Sequence, residues 1–185
     1  MTTEPAAARI APGSRQDVGI LAYAISSVSG RVSGTGPPNL FLTLGRHRPL
    51  FRGWLRFASR LMPAGKLPRR ETELVILRVA HLRGCTYEFD HHVHLGARAG
   101  ITAVDVERVK DGPTASGWSS REAAVLAAVD GLHERQDLTD EEWAAVSIVL
   151  SERELIELVM LVGHYEMLAT AITALRIQPD RRRRG

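Results

Sequence analysis

At 185 residues, with 44% hydrophobic and 24% charged side chains, the chain is long enough to bury a core and has the balance of a soluble globular protein. Its net charge of +3 leans on Arg181, Arg182, Arg183 and Arg184; without these four the remainder is about −1, so nucleic acid is not an expected partner. The single cysteine, Cys85, excludes a disulfide within the chain.

Aromatic residues make up only 5%, and the apolar content is mostly Ala, Leu and Val, which favours helices over strands. The opening MTTEPAAARIAPGS lacks the basic-then-apolar order of a signal peptide. No apolar run reads as the ~20 residues of a membrane span. A cytoplasmic protein without a membrane partner is expected. Residues 1–13 read as a flexible N-terminus, 14–178 as one helical domain, and 179–185 as a solvated basic tail.

Helix signals recur in chain order. Ser14-x-x-Asp17 opens a helix expected to reach about Ser29, and the Gly/Pro-rich stretch 30–39 reads as loop. Leu40 to Met62 reads as one or two helices broken near Gly45 and Pro49. After a loop at 63–68, RRETELVILRVAHLRG carries Glu71 and Glu73 in its first turn, where carboxylates complement the helix dipole. Residues 74–82 are apolar on nearly every face, so this helix is expected to be deeply buried. Gly84 stops it, and a second helix runs from about Thr86 to Ala99 with Gly100 as its stop. Thr102-x-x-Asp105 opens a short helix. Ser119-x-x-Glu122, Thr139-x-x-Glu142 and Ser151-x-x-Glu154 are capping boxes that open three more. The expected class is all-α, with seven to nine helices.

The stretch GCTYEFDHHVH, residues 84–94, holds the chemistry-bearing side chains. Cys85, Glu88 and His92 are three and four residues apart, so all three share one helical stripe. A thiol, a carboxylate and an imidazole so placed can exchange protons directly or through one water. His91 and His94 fall about 100° and 200° from His92 and read as surface or structural residues. Glu88 and His92 could supply two metal ligands, but His-x-x-x-His is absent, and neither a metal nor another cofactor is expected. Glu73 sits beside Ile76, Leu77 and Ala80 at helical spacing. It reads either as a helix-terminus acid or as a buried acid tuned to exchange protons with His92. A helix N-terminus lowers the Cys85 thiol pKa, while Glu88 one turn on raises it. A lone cysteine is also a common inert core residue. His164 and Tyr165, in an apolar run, read as hydrogen-bonded core residues or as pocket lining. Trp54, Trp118 and Trp143 read as packing or interface residues.

The combination ELVILRVAHLRGCTYEFDHHVHLGARAGIT resembles the carboxymuconolactone decarboxylase family, whose superfamily includes the alkylhydroperoxidase D proteins. PPNLFLTLGRHRPLFRGWLRF before it and LIELVMLVGHYEMLATAITAL after it extend the resemblance over roughly residues 37–178. The resemblance implies an all-helical bundle built around an antiparallel helix pair, and a homo-oligomer (trimer, hexamer or dimer). It places the peroxidase branch's glutamate on Glu73, its first cysteine on Cys85 and its histidine on His92. The second cysteine position is Glu88, so the disulfide cycle of that branch is closed to this chain. The Tyr87-Glu88-Phe89 replacement is similar to a subgroup with Tyr-Glu-Trp at these positions.

Three functions follow as expectations. The first is a small-molecule enzyme that decarboxylates, isomerises or opens a lactone by proton transfer. His92 would be the acid/base, Glu73 its tuner, and Glu88 a second acid/base or an orienter. Tyr87, His164 and Tyr165 would line the substrate pocket, and Arg78 or Arg98 would hold substrate carboxylates. The second is a thiol peroxidase that uses Cys85 alone. The third is a non-catalytic helical binding oligomer.

Overall fold

The computed structural model describes residues 7–181. Residues 1–6 of the expected flexible N-terminus, and Arg182, Arg183 and Arg184 of the basic tail, lie outside the described residues. Ten α-helices form among the described residues: α1 (Arg15–Val18), α2 (Ile20–Ser33), α3 (Asn39–Leu44), α4 (Arg48–Leu61), α5 (Arg69–Leu82), α6 (Thr86–Arg98), α7 (Ala103–Asp111), α8 (Ser120–Arg135), α9 (Asp140–Val149) and α10 (Glu152–Leu175). The class is all-α, as the sequence indicates. The count exceeds the expected nine because Gly19, at φ 86°, divides the first expected helix into α1 and α2. All five Ser/Thr-x-x-acid starts form capping boxes with reciprocal bonds.

The chain falls into two compact units. Among the described residues, one comprises 7–57 with 170–181 and the other 58–169. In the first, Phe41, Phe51 and Trp54 form an aromatic cluster with centroids 5.3–5.7 Å apart. Helix α2 runs past the expected boundary at residue 30. Gly30 sits so close to the following loop that a Cβ there would lie 2.1 Å from the Gly36 carbonyl oxygen. The first part of the C-terminal segment is anchored: Asn39 Nδ2 donates to the Gln178 and Pro179 carbonyls, and the Asn39 backbone N–H donates to Asp180.

The second unit is organised on α5, whose residues 71–80 are all buried. Leu74 and Leu77 join Ile101, Val109 and Leu126 in its core, with Phe89, Val93, Val106 and Trp118 packed around them. Between α5 and α6, Gly84 (φ 60°) takes the left-handed conformation, Cys85 N–H donates to Ala80 O, and Gly84 N–H donates to His81 O. This pattern, a Schellman motif, satisfies orphan carbonyls of α5 and turns the chain back as an antiparallel pair. Arginines fasten α5 to its neighbours. Arg70 bonds Asp105 and Glu122, and Arg121 bonds Glu71 and Glu154.

By length and composition alone, 24-residue α10 is apolar enough to cross a membrane, although Glu157 and Glu166 interrupt its apolar run. Its Leu158, Leu161, Val162, Tyr165 and Leu168 are buried, while Ile156, Met160 and Met167 are exposed. One face of the helix is therefore packed as a core element.

Candidate active site

The α5–α6 turn fixes where the reactive side chains stand. Cys85 is the N-cap residue of α6, its backbone N–H committed to Ala80 and its carbonyl to Phe89 N–H. From there Glu88 and His92 follow along the inward face of α6, and all three side chains are buried. The face they meet on α5 carries Glu73, which is wholly buried. Glu73 Oε2 lies 2.7 Å from His92 Nδ1, and Arg69, one turn earlier on α5, places its guanidinium 2.5 Å from Oε1. A carboxylate paired with an arginine accepts hydrogen bonds, so the His92 proton belongs on Nδ1 and Nε2 is the basic nitrogen.

Glu88 has a different environment. No nitrogen or oxygen donor reaches either of its carboxyl oxygens. Burial pushes its pKa up to about 8, with a smaller push from the Glu166 charge, while the neighbouring Cys85 thiol pulls the other way. At neutral pH Glu88 is mostly a protonated acid and therefore a donor. Burial first, and the Glu88 charge second, push the Cys85 thiol up to about 11. The competition between helix terminus and carboxylate that the sequence left open is thus decided against the thiolate.

Tyr165 stands edge-on to His92, and His164 stands edge-on to Tyr165 with centroids 5.2 Å apart. Burial, then the charges of Glu88 and Glu73, holds the Tyr165 phenol well above its usual range, and burial lowers His164 to about 4. Tyr87 is half-buried. His91 is half-buried too, lowered to about 4 by burial and then by His92 and His94. His94 is exposed, its Nδ1 2.9 Å from the Asp90 carbonyl. Among the described residues no three His, Cys, Asp or Glu side chains are grouped to hold a metal ion.

Arg78 does not join this group. It is buried, bonds Asp130 through Nε and one terminal nitrogen, and caps α7 by donating to the Val109 and Lys110 carbonyls. Arg98 is exposed in the last turn of α6. Two residues were missed. Arg69 had a signal, its i, i+4 spacing to Glu73. Glu166 had none, because it comes near Glu88 only through the packing of α10; it also accepts from His133 and pairs with Arg83.

The carboxymuconolactone decarboxylase family model matches residues 48–131, a span that contains Arg69, Glu73, Cys85, Glu88 and His92. None of the curated proteins matches the sequence. An uncharacterized peroxidase-related protein from Silicibacter sp. TM1040 superimposes over 97% of this chain and 95% of its own, with a TM-score of 0.80 at 12% identity. An alkylhydroperoxidase AhpD core protein from Ralstonia eutropha JMP134 does so over 92% of each chain, with a TM-score of 0.79 at 14% identity. The debrominase Bmp8 covers 92% of this chain and 91% of its own, with a TM-score of 0.78 at 19% identity. A cysteine-to-alanine form of that debrominase, in complex with 2,3,4-tribromopyrrole, gives a TM-score of 0.79 at 18% identity over 95% of this chain and 93% of its own. At these identities the likeness is one of fold. Residues 48–131 thus match the carboxymuconolactone decarboxylase family model, and the chain shares the all-helical fold of these alkylhydroperoxidase-like structures.

Proposed function

We propose that this protein is a small-molecule enzyme that moves protons at the Glu73–His92 pair, in a decarboxylation, an isomerisation or a lactone opening. The observation that carries the reading is the 2.7 Å contact between a wholly buried carboxylate and a buried imidazole. Glu73, anchored by Arg69, holds the His92 ring in one tautomer, and Nε2 takes a proton from carbon next to a carbonyl. Glu88, protonated at neutral pH, donates to the oxygen or carbon on which the electron pair collects. Two acid/base groups with separated proton affinities divide the donor and acceptor roles.

The test is deuterium exchange. A panel of enol-lactones and β-keto acids is incubated with the protein in D₂O and followed by NMR. Carbon-bound deuterium or carbon dioxide release is expected with the wild type and with Cys85→Ala, and not with His92→Ala. A His92→Ala variant that retains the activity, or a Cys85→Ala variant that loses it, overturns the assignment.

A second reading uses the Cys85 sulfur, in line with the peroxidase-related name of a protein that shares this fold. In its peroxidase form the sulfur attacks a hydroperoxide, giving a sulfenic acid and an alcohol, and an external thiol then reduces the sulfenic acid. A thiol at about 11 leaves only ~1 part in 10⁴ as thiolate at pH 7, so this route starts from a small reactive fraction. Sulfenic acid trapping after peroxide treatment, on the wild type and on Glu88→Gln, measures it directly.

A further inference from the structure

Tyr165 is only 6% exposed, yet no described residue hydrogen-bonds its hydroxyl. Buried tyrosine hydroxyls normally find a partner, so this one is an unspent donor inside the fold. Two further polar groups of the same cluster are unspent as well. His92 Nε2 bonds no described residue, its ring being held through Nδ1. Neither Glu88 oxygen meets a nitrogen or oxygen donor, and only the Cys85 thiol bonds that carboxyl.

The Tyr165 ring is clamped from two sides. His92 stands against it at 86° and His164 at 88°. The phenol lies within electrostatic reach of Glu88, Glu73 and Arg69. Its hydroxyl therefore belongs to the same interior as the Glu73–His92 pair, and all of these residues fall within one compact unit.

Protonation states decide what the three groups can hold. Tyr165 is a neutral phenol and Glu88 a carboxylic acid at neutral pH, so both donate; His92 Nε2 accepts. Two donors and one base complement an oxygen that gathers negative charge beside a carbon that loses a proton. A phenol with a neutral carboxylic acid is an effective donor pair for an enolate oxygen in an apolar site. We propose that Tyr165 is a catalytic residue that forms, with Glu88, a two-donor oxyanion hole, and that the substrate is an enolisable carbonyl compound.

This inference rests on the acid–base reading of Glu73 and His92 and narrows it. As the C–H bond breaks, its proton goes to His92 Nε2 and its electron pair forms a carbon–carbon double bond. The carbonyl π pair moves onto oxygen, where Tyr165 and Glu88 hold it. The imidazolium then returns the proton to carbon, and nothing is oxidised or reduced.

The test uses Tyr165→Phe, which keeps the ring against His92 and removes only the hydroxyl. The first probe is 4-nitrophenol, whose coloured phenolate stands in for the enolate oxygen, with 4-nitrotoluene as the control that lacks it. Wild type is expected to bind the phenolate at neutral pH, and Tyr165→Phe to bind it at least about tenfold more weakly, with 4-nitrotoluene binding and circular dichroism unchanged. Glu88→Leu should weaken the phenolate to a similar degree, an independent check through the second donor. In the deuterium-exchange assay, Tyr165→Phe should lower kcat by about 10²-fold. A wild type that binds no phenolate, or a Tyr165→Phe variant that binds it equally well, overturns the proposal. Exchange that depends on His92 but not on Tyr165 overturns it too, and leaves the acid–base reading standing. If phenolate binding depends on Tyr165 while no compound exchanges deuterium, the acid–base reading falls and the two donors survive as an anion-binding site.

Discussion

Tyr165 of α10 meets His92 of α6 edge-on, with ring centroids 5.3 Å apart and planes 86° apart. His92 is thus restrained twice, in the ring plane by Glu73 at Nδ1 and by the aromatic contact. A ring held in this way keeps one nitrogen for one task, which is what repeated proton transfer at a single position requires.

Glu73→Gln tests that restraint. The amide matches the shape of the carboxylate but lacks the negative charge that stabilises the imidazolium formed when Nε2 takes a proton. Nitrogen-15 NMR of the wild type should show His92 as the Nδ1–H tautomer, and the variant should show a mixture. Turnover in the deuterium-exchange assay should fall by about 10²-fold or more. An unchanged tautomer with unchanged turnover would remove Glu73 from the mechanism.

Glu88 gives the fold a pH dependence of definite sign. It is held protonated up to about 8 in the native protein, against a usual value of 4.5. Between those values the folded chain binds more protons than the unfolded chain, so this contribution is complete below about 4.5 and is lost as pH rises through 8. Glu88→Gln should flatten the slope and raise the melting temperature at pH 8 relative to wild type. Melting curves from pH 5 to 9 check it, and parallel profiles for the two proteins would contradict it.

His91 and His164 act in the opposite direction. Burial lowers both from the usual 6.5 to about 4, so their contribution is complete above about 6.5 and is lost as pH falls towards 4. Acid unfolding should therefore begin before most surface carboxylates are neutralised. His164→Gln is expected to shift the acid midpoint downward, read by circular dichroism during a pH titration. An unmoved midpoint would show that the His164 imidazole does not control acid stability.

Arg78→Ala should destabilise the protein by about 3 kcal/mol, because it leaves Asp130 and two α7 carbonyls without their donor. Chemical denaturation measures this. Below the unfolding transition, KM should be unchanged; a raised KM would return Arg78 to the substrate site.

Helix ends were the most legible part of the sequence, because each capping box is a local, reciprocal hydrogen-bond pattern written within four residues. Ser119 and Glu122, for example, need no distant partner to start α8. The failures at Gly19 and Gly30 have different causes. One glycine breaks a helix through its own backbone angle, whereas the other is required inside a helix by a loop that packs against it. A shared stripe for Cys85, Glu88 and His92 followed from α-helical spacing alone, and the structure buries all three side chains together. That Glu73 Oε2 would come within hydrogen-bonding distance of His92 depended on the α5–α6 pairing. Helical spacing could not reveal the role of Arg78, because Asp130, its partner, lies 52 positions away.

The commitment of both Cys85 backbone groups within the α5–α6 turn, together with the burial of its sulfur, has a practical use. The native thiol should barely react with maleimide at neutral pH, so a cysteine installed at an exposed site such as Thr86 or Ile148 could carry a fluorophore or spin label without first deleting the natural one. Motions of α6 or α9 could then be followed by spectroscopy in a protein whose acid–base cluster is untouched.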